Sequence, residues 1–280
     1  MKTTECLVQL CTSNSEYSGE WNWQAAGMSY AVRTADNRLI IVDGGETEAD
    51  AAHLLRVMKE LTSSNRPTVA LWIITHPHLD HYGALYRLSK NPELLSDVEI
   101  QQLCYQLPEK PILPRNGVTY PKEDQDIREL TAILGVPVLV PHTGDRFSFG
   151  GTVVRFFFTP EDCMNRITDI NELSLIFQIR GKEKSVMFTG DAYERTTRLI
   201  AFRFWDDLKS DFCQLAHHGL NGGSAEFYIR VNAPCVLIPI SISGDRAVAG
   251  WIPGTCPRQF AEKTASSCHK AFEGDFTVQI

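Results

Sequence analysis

Four side chains able to bind a metal ion stand within six residues of the stretch "LWIITHPHLDHYGAL": His76, His78, Asp80 and His81. Imidazole and carboxylate are the donors that borderline divalent cations take. His76 and His78 alternate along an extended segment, so both can point to one side. Asp80 and His81 begin the next helix and can face the same space from another direction. The spacing offers two ligand pairs to two adjacent ions. A solvated histidine-rich loop, or a helix start capped by Asp80, is the competing reading. What favours the metal is that further donors recur later in the chain, at Asp191 in "FTGD" and at His217 and His218 in "AHHG".

The elements that must position these residues follow one plan twice. "MSYAVRT" and "RLIIVDGG" flank Ala35-Asp36-Asn37 and predict a hairpin ending at Asp43. Ala51, Leu54, Leu55, Met58 and Leu61 then recur at helical spacing, with Thr47 as N-cap. After Pro67 the apolar run "TVALWII" predicts a buried strand that runs straight into His76. In the later half, "LSLIFQIRG" and "KSVMFTGD" predict a hairpin ending at Asp191. The stretch "AYERTTRLIAFRFWDDL" reads as a helix, "DFCQLA" as a strand running into His217, and a further helix precedes the strand "CVLIPIS". Two such halves can pack their sheets face to face, with helices on the outer faces. Each half then delivers an aspartate and a histidine cluster at strand ends, where ligands of open α/β sheets gather.

The run of "IVDGG", "THPHLDH", "FTGD" and "AHHG", in this order and at these distances, resembles the metallo-β-lactamase superfamily over nearly the whole chain. The second half looks most like the hydrolase-like domain of ComEC-type DNA-uptake proteins. That likeness rests on Asn171 to Ser174 in "NELSLIF", on "FTGD", on "AHHG" and on the closing "FEGDFTVQI". The resemblance implies a four-layer αββα sandwich of two pseudo-symmetric halves with a dinuclear metal site, built as a single domain over residues 1–280. It implies that His76 and His78 bind one ion, that Asp80, His81 and one histidine of "AHHG" bind the other, and that Asp191 bridges them. Asp43 is implied as the partner that orients a ligand histidine, against the plainer reading of an Asp-Gly turn.

The chain departs from the superfamily's pattern at one ligand. Many members place a histidine for the first metal ahead of a mid-chain strand, and here Asn171 is the candidate occupant. A neutral amide oxygen is a weaker donor, which would loosen that site or turn it from zinc toward manganese. Neighbouring residues at a strand end diverge, so one of His217 and His218 is expected to bind metal. His217, directly after the strand, is taken as the ligand, and His218 as a donor to substrate. His53 and His142 are given surface readings, and His269 stands near the C-terminal strand with no spacing that demands a role.

Composition limits the remaining choices. The formal charge of −7 argues against an unspecific polyphosphate-binding surface, so nucleic acid is unsupported as a partner. No apolar run reaches membrane-spanning length, and no secretory signal is expected from the first residues. The eight cysteines are scattered without a Cys-x-x-Cys pair and read as reduced, in a cytoplasmic protein. No nucleophile elbow, phosphate loop or dinucleotide fingerprint competes with the histidine cluster. The expected function is hydrolysis by a hydroxide on two divalent ions, zinc first and manganese as the alternative, with Asp80 orienting it. A phosphoester substrate is favoured by the ComEC-type resemblance. The alternatives are a lactone or amide hydrolase and a non-catalytic metal-binding module. A diiron redox protein is disfavoured because no flavin- or cluster-binding segment accompanies the site. The Pro-rich stretch "CYQLPEKPILPRNGVTYPKED" and the segment around Trp251 are expected as loops near the cleft mouth.

Overall fold

Alternating apolar positions build the strands, and the two faces of each strand go to different layers. The structure, a computed structural model, describes residues 4–20, 27–250 and 257–280; the Trp251 segment lies outside them. The first hairpin pairs β2 (Ser29–Arg33) with β3 (Leu39–Asp43), Ser29 opposite Asp43, after the edge-side strand β1 (Cys6–Gln9). Helix α1 (Glu48–Thr62) starts at the Thr47 cap. The Thr47 hydroxyl accepts from Asp50 N–H and the Asp50 carboxylate accepts from Thr47 N–H, a reciprocal box contributing about 1 kcal/mol. The chain returns through β4 (Thr68–Ile73), parallel to β3, then α2 (Leu79–Lys90) and the short α3 (Pro92–Ser96). Strands β5 (Glu99–Ile100) and β6 (Leu103–Cys104), helix α4 (Pro121–Leu134) and β7 (Val138–Leu139) complete this half.

The second half opens with the hairpin β8 (Arg146–Phe149) and β9 (Thr152–Phe158), followed by β10 (Ile176–Arg180) and β11 (Ser185–Phe188). The stretch expected as one helix after Asp191 is α5 (Glu194–Phe204) continued by a 3-10 turn at Trp205–Leu208. Then come β12 (Phe212–Gln214), α6 (Ala225–Val231), β13 (Cys235–Ile238), α7 (Ile242–Ala249), α8 (Pro257–Thr264) and β14 (Ser267–Lys270). The last strand, β15 (Phe276–Gln279), crosses back to pair with β1.

Two sheets result, ordered β15-β1-β2-β3-β4-β6-β7, with β5 beside β4, and β14-β13-β12-β11-β10-β9-β8. Three apolar layers hold them. Leu7, Tyr30, Val42 and Ile73 of the first sheet meet Phe156, Phe177, Phe188 and Leu237 of the second between the sheets. Ile41 and Trp72 face outward onto Leu54, Met58 and Leu85 of α1 and α2. Met187 and Val236 face outward onto Ile200 and Phe227 of α5 and α6. The chain is therefore the expected four-layer α/β sandwich. In both halves an antiparallel hairpin ends at an aspartate, and the next parallel strand ends at a histidine cluster. The Pro-rich stretch leaves β6 at the same sheet edge as His76, since Ile74 N–H donates to the carbonyl of Cys104. It is irregular up to Tyr120 apart from one bridge between Ile112 and Thr119, but its last four residues, Pro121 to Asp124, are not loop as expected: they form the first turn of α4, with Pro121 at the helix start.

Candidate metal centre

β3 ends at Asp43 in the left-handed conformation (φ +57°), which turns its wholly buried carboxylate beneath the next strand end. There it accepts from Thr75 N–H (2.8 Å), from the Thr75 hydroxyl (2.8 Å) and from His81 Nδ1 (2.7 Å). The bond to Asp43 fixes the proton of His81 on Nδ1 and leaves Nε2 directed at Asp80 (3.5 Å) and Asp191 (3.4 Å). His76 Nε2 lies 3.0 Å from His78 Nδ1 and 3.7 Å from Asp191 Oδ2. Asp80 comes from the first turn of α2, one residue before His81.

The second half approaches from the opposite side. Gly190 (φ +50°) carries the chain past Ser174, whose hydroxyl would stand 2.7 Å from any Cβ there and accepts from Asp191 N–H (2.8 Å). After β12, three consecutive residues turn left-handed: His217 (φ +50°), His218 (φ +56°) and Gly219 (φ +70°). Two non-glycine residues in this region cost about 1–2 kcal/mol each, roughly what burying one apolar side chain returns. The turn decides which histidine enters the cluster. His218 Nδ1 donates to the carbonyl of Pro239 (2.8 Å), so Nε2 faces Asp80 (3.0 Å) and Asp191 (3.3 Å). His217 turns aside, its Nδ1 against Asn221, its ring 5.4 Å from Tyr193 and its Nε2 3.9 Å from Asp191.

Two donor groups therefore converge, His76–His78–Asp191 and Asp80–His81–His218, with the ligand atoms of each within 4.8 Å of one another. Asp191 Oδ2 lies between them, within 3.7 Å of donors in both. Burial opposes charge on Asp80 and Asp191, yet the charged imidazoles of His81 and His218 hold both carboxyls well below their usual range. Burial also opposes charge on those two histidines, but Asp191 and its neighbouring carboxylates raise His81 far above normal and His218 to about 10. His76 is pushed down by burial and by the charge on His81. Buried His81 Nε2, Asp191 Oδ1 and Asn171 Oδ1 have no hydrogen-bond partner among the described residues. Orphaned acceptors and carboxylates neutralised only by protons are what a pair of divalent cations would satisfy, and the donor set fits them.

The other sequence candidates are placed as follows. Asn171 is buried, and its amide nitrogen donates to the Tyr193 hydroxyl (2.8 Å), leaving the oxygen unpartnered. His142 lies at the surface paired with Glu161. His53 is more than a surface residue. It bridges the Cys11 carbonyl and Asp275, and the bond to Asp275 raises its pKa against the cost of burial. His269 stacks on Phe276 (4.3 Å between centroids) and bonds the carbonyl of Gly274, in neither donor group. Thr75 and Ser174 stand inside recognised motifs, but sequence reasoning gave neither a role at the site, and it missed Tyr193, Asn221 and the Pro239 carbonyl. Nothing in the sequence marks a carbonyl 21 residues from the histidine it orients.

This arrangement can be set beside known proteins. The chain aligns over 99% of its length with all of the metallo-beta-lactamase fold protein YhfI from Bacillus subtilis (13% identity, TM-score 0.58). The chain has the metallo-β-lactamase fold. It likewise covers Zn(2+)-bound PqqB from Methylobacterium extorquens (10% identity, 99% and 100% of the two chains, TM-score 0.57). It also covers 55% of CmlA, a diiron beta-hydroxylase from Streptomyces venezuelae (12% identity, 99% of this chain, TM-score 0.57). Residues 24–159 match the family model described as "Metallo-beta-lactamase superfamily". That match supports the superfamily and takes in Asp43 and the first histidine run, but stops before Asp191 and His218. No curated protein matches.

Proposed function

We propose that the protein is a metal-dependent hydrolase, acting on a phosphoester bond. The observation that carries this reading is Asp191, buried between two donor groups that each join residues from both halves of the chain. Two divalent ions bound there, zinc or manganese, would supply Lewis acidity toward a phosphoryl or carbonyl group. His76, His78 and Asp191 would hold one ion, with the Asn171 oxygen as a neutral supplement. Asp80, His81 and His218 would hold the other. On this reading the expected roles of the doublet are reversed, with His218 as the metal ligand and His217 toward substrate, and the left-handed turn supports it. Asp80, about a fifth exposed, is the carboxylate placed to orient water at the cleft.

The phosphoester choice rests on the ComEC-type motifs, and a lactone or amide is the alternative substrate. Unpaired cysteines fit a reducing, cytoplasmic setting, and no helix of the described residues is long and apolar enough to cross a membrane. The weaker donor at Asn171 is the one observation that favours a non-catalytic metal-binding module. Metal analysis and turnover of bis-p-nitrophenyl phosphate separate the two. About two ions per chain and turnover abolished in His78→Ala support the hydrolase. Full metal with no turnover of phosphoester, lactone or lactam panels supports the module.

A further inference from the structure

A cavity of about 350 Å³ opens between α5 and the connection that runs from β9 to β10. This volume lies in the range of small-molecule sites, about 300–1,000 Å³. Two of its lining residues directly follow residues of the metal centre along the chain. Glu172 in its lining follows Asn171, Glu194 follows Tyr193, and the Asn171–Tyr193 hydrogen bond joins the two sides. The lining is mostly apolar. Ile167 is buried there, while Leu199 and Phe202 stand 42% and 66% exposed on one face of α5. Large apolar groups left in water on one face, around a concavity, mark a surface that is covered in use.

The charges around it are unbalanced. Glu172 is buried and accepts from Thr168 N–H and hydroxyl, and Glu194 is paired with Arg198. Arg195 donates to the carbonyl of Arg166 (2.9 Å), and neither arginine forms an ion pair among the described residues. Three guanidiniums, Arg166, Arg195 and Arg198, thus face two carboxylates, Glu172 and Glu194, around the pocket, an excess of one positive charge on a chain of net charge −7.

We propose that this cavity is a subsite for the apolar, ring-sized substituent of an anionic substrate whose reacting group lies at the metal centre. The proposal rests on the hydrolase reading and narrows its substrate class to esters with a bulky apolar arm. A second copy of the chain is the competing occupant. The apolar floor joined to a cationic rim, next to the cleft, favours the substrate.

The test uses the metal-loaded protein with two diesters that share a leaving group, phenyl p-nitrophenyl phosphate and methyl p-nitrophenyl phosphate. The phenyl ester is expected to be preferred at least about tenfold in kcat/KM, carried by KM. That preference should collapse toward one in Leu199→Asp and in Phe202→Ser, whose side chains are exposed and not needed for folding. Calorimetric binding of phenylphosphonate, which needs no turnover, should weaken about tenfold in both variants and in Arg166→Glu. Phenylphosphonate binding that weakens in the variants, with neither diester turned over, would sink the hydrolase reading and keep the subsite. An unchanged phenyl preference with unchanged phenylphosphonate binding would overturn the subsite. A dimer lost in Leu199→Asp with the preference intact would assign the face to contact between copies instead.

Discussion

Two turns bring histidine to the same cleft, and they are built differently. The first, from Thr75 to His81, is an extended segment leading into a helix, with no residue in a strained conformation. Its orienting acceptor is a charged side chain, Asp43, buried at the end of the neighbouring strand. The second, His217 to Gly219, is a strained left-handed turn whose orienting acceptor is a backbone carbonyl, that of Pro239. One turn depends on a replaceable carboxylate. The other depends on backbone shape, which no single side chain supplies.

The largest effect that separates them is expected at Asp43. Asp43→Ala would leave His81 buried without its carboxylate partner and the Thr75 N–H without an acceptor, while the Thr75 hydroxyl keeps only its 3.2 Å contacts with His76 and His81. Removing one member of such a pair costs about 3–5 kcal/mol, and loss of an orienting acceptor typically weakens metal binding 10- to 100-fold. Chemical denaturation and metal titration would read both. A variant as stable and as tight as the parent would show that the first turn orients His81 without Asp43.

The two turns share one electrostatic property, and it gives a pH dependence. His81 and His218 are both held above the usual imidazole pKa, His218 at about 10, by the carboxylates around them, against the cost of burial. Both rings are therefore charged at neutral pH without metal and must release protons to bind it. Metal affinity should rise with pH between 6 and 9, by up to about tenfold per pH unit for each proton displaced. Calorimetry in buffers of different ionisation enthalpy would count those protons. Release of none would contradict the charge state of both turns.

These elements differ in how well the sequence displays them. The hairpins, the helix beginning at Thr47 and the His76–His81 run are local patterns, and the chain folds on them as local pattern dictates. Asp43 was readable because it ends a strand just before the histidine strand. The identity of the histidine turned inward at "AHHG" was not readable. Strand alternation points to His217, but the alternation stops after Ala216, and the backbone turns left-handed at His217 itself. Sequence alone does not disclose that turn, since Gly219 marks only its third residue. The Pro239 carbonyl and the Asn221 contact depend on packing between distant segments, as does the cavity beside α5.

A smaller effect tests the shape of the second turn itself. Gly219 is at φ +70°, and a Cβ there would stand 2.8 Å from Ile238 Cγ2. Gly219→Ala should cost about 1–2 kcal/mol for the left-handed alanine, with any relief of the clash adding to it. The thermal midpoint would fall by several degrees, and the loss should fall mainly on the ion held by His218. Unaltered stability would mean the turn is not strained as described.

The central claim is that Asp191 joins two ions, one gripped with His76 and His78 and the other with Asp80, His81 and His218. Anomalous diffraction from crystals grown with zinc tests it most directly. The account predicts two peaks flanking Asp191, and in His218→Ala the loss of the one beside Asp80 and His81, with both kept in His217→Ala. A single peak in the parent, or a second ion that survives loss of His218 and disappears with His217, would contradict it.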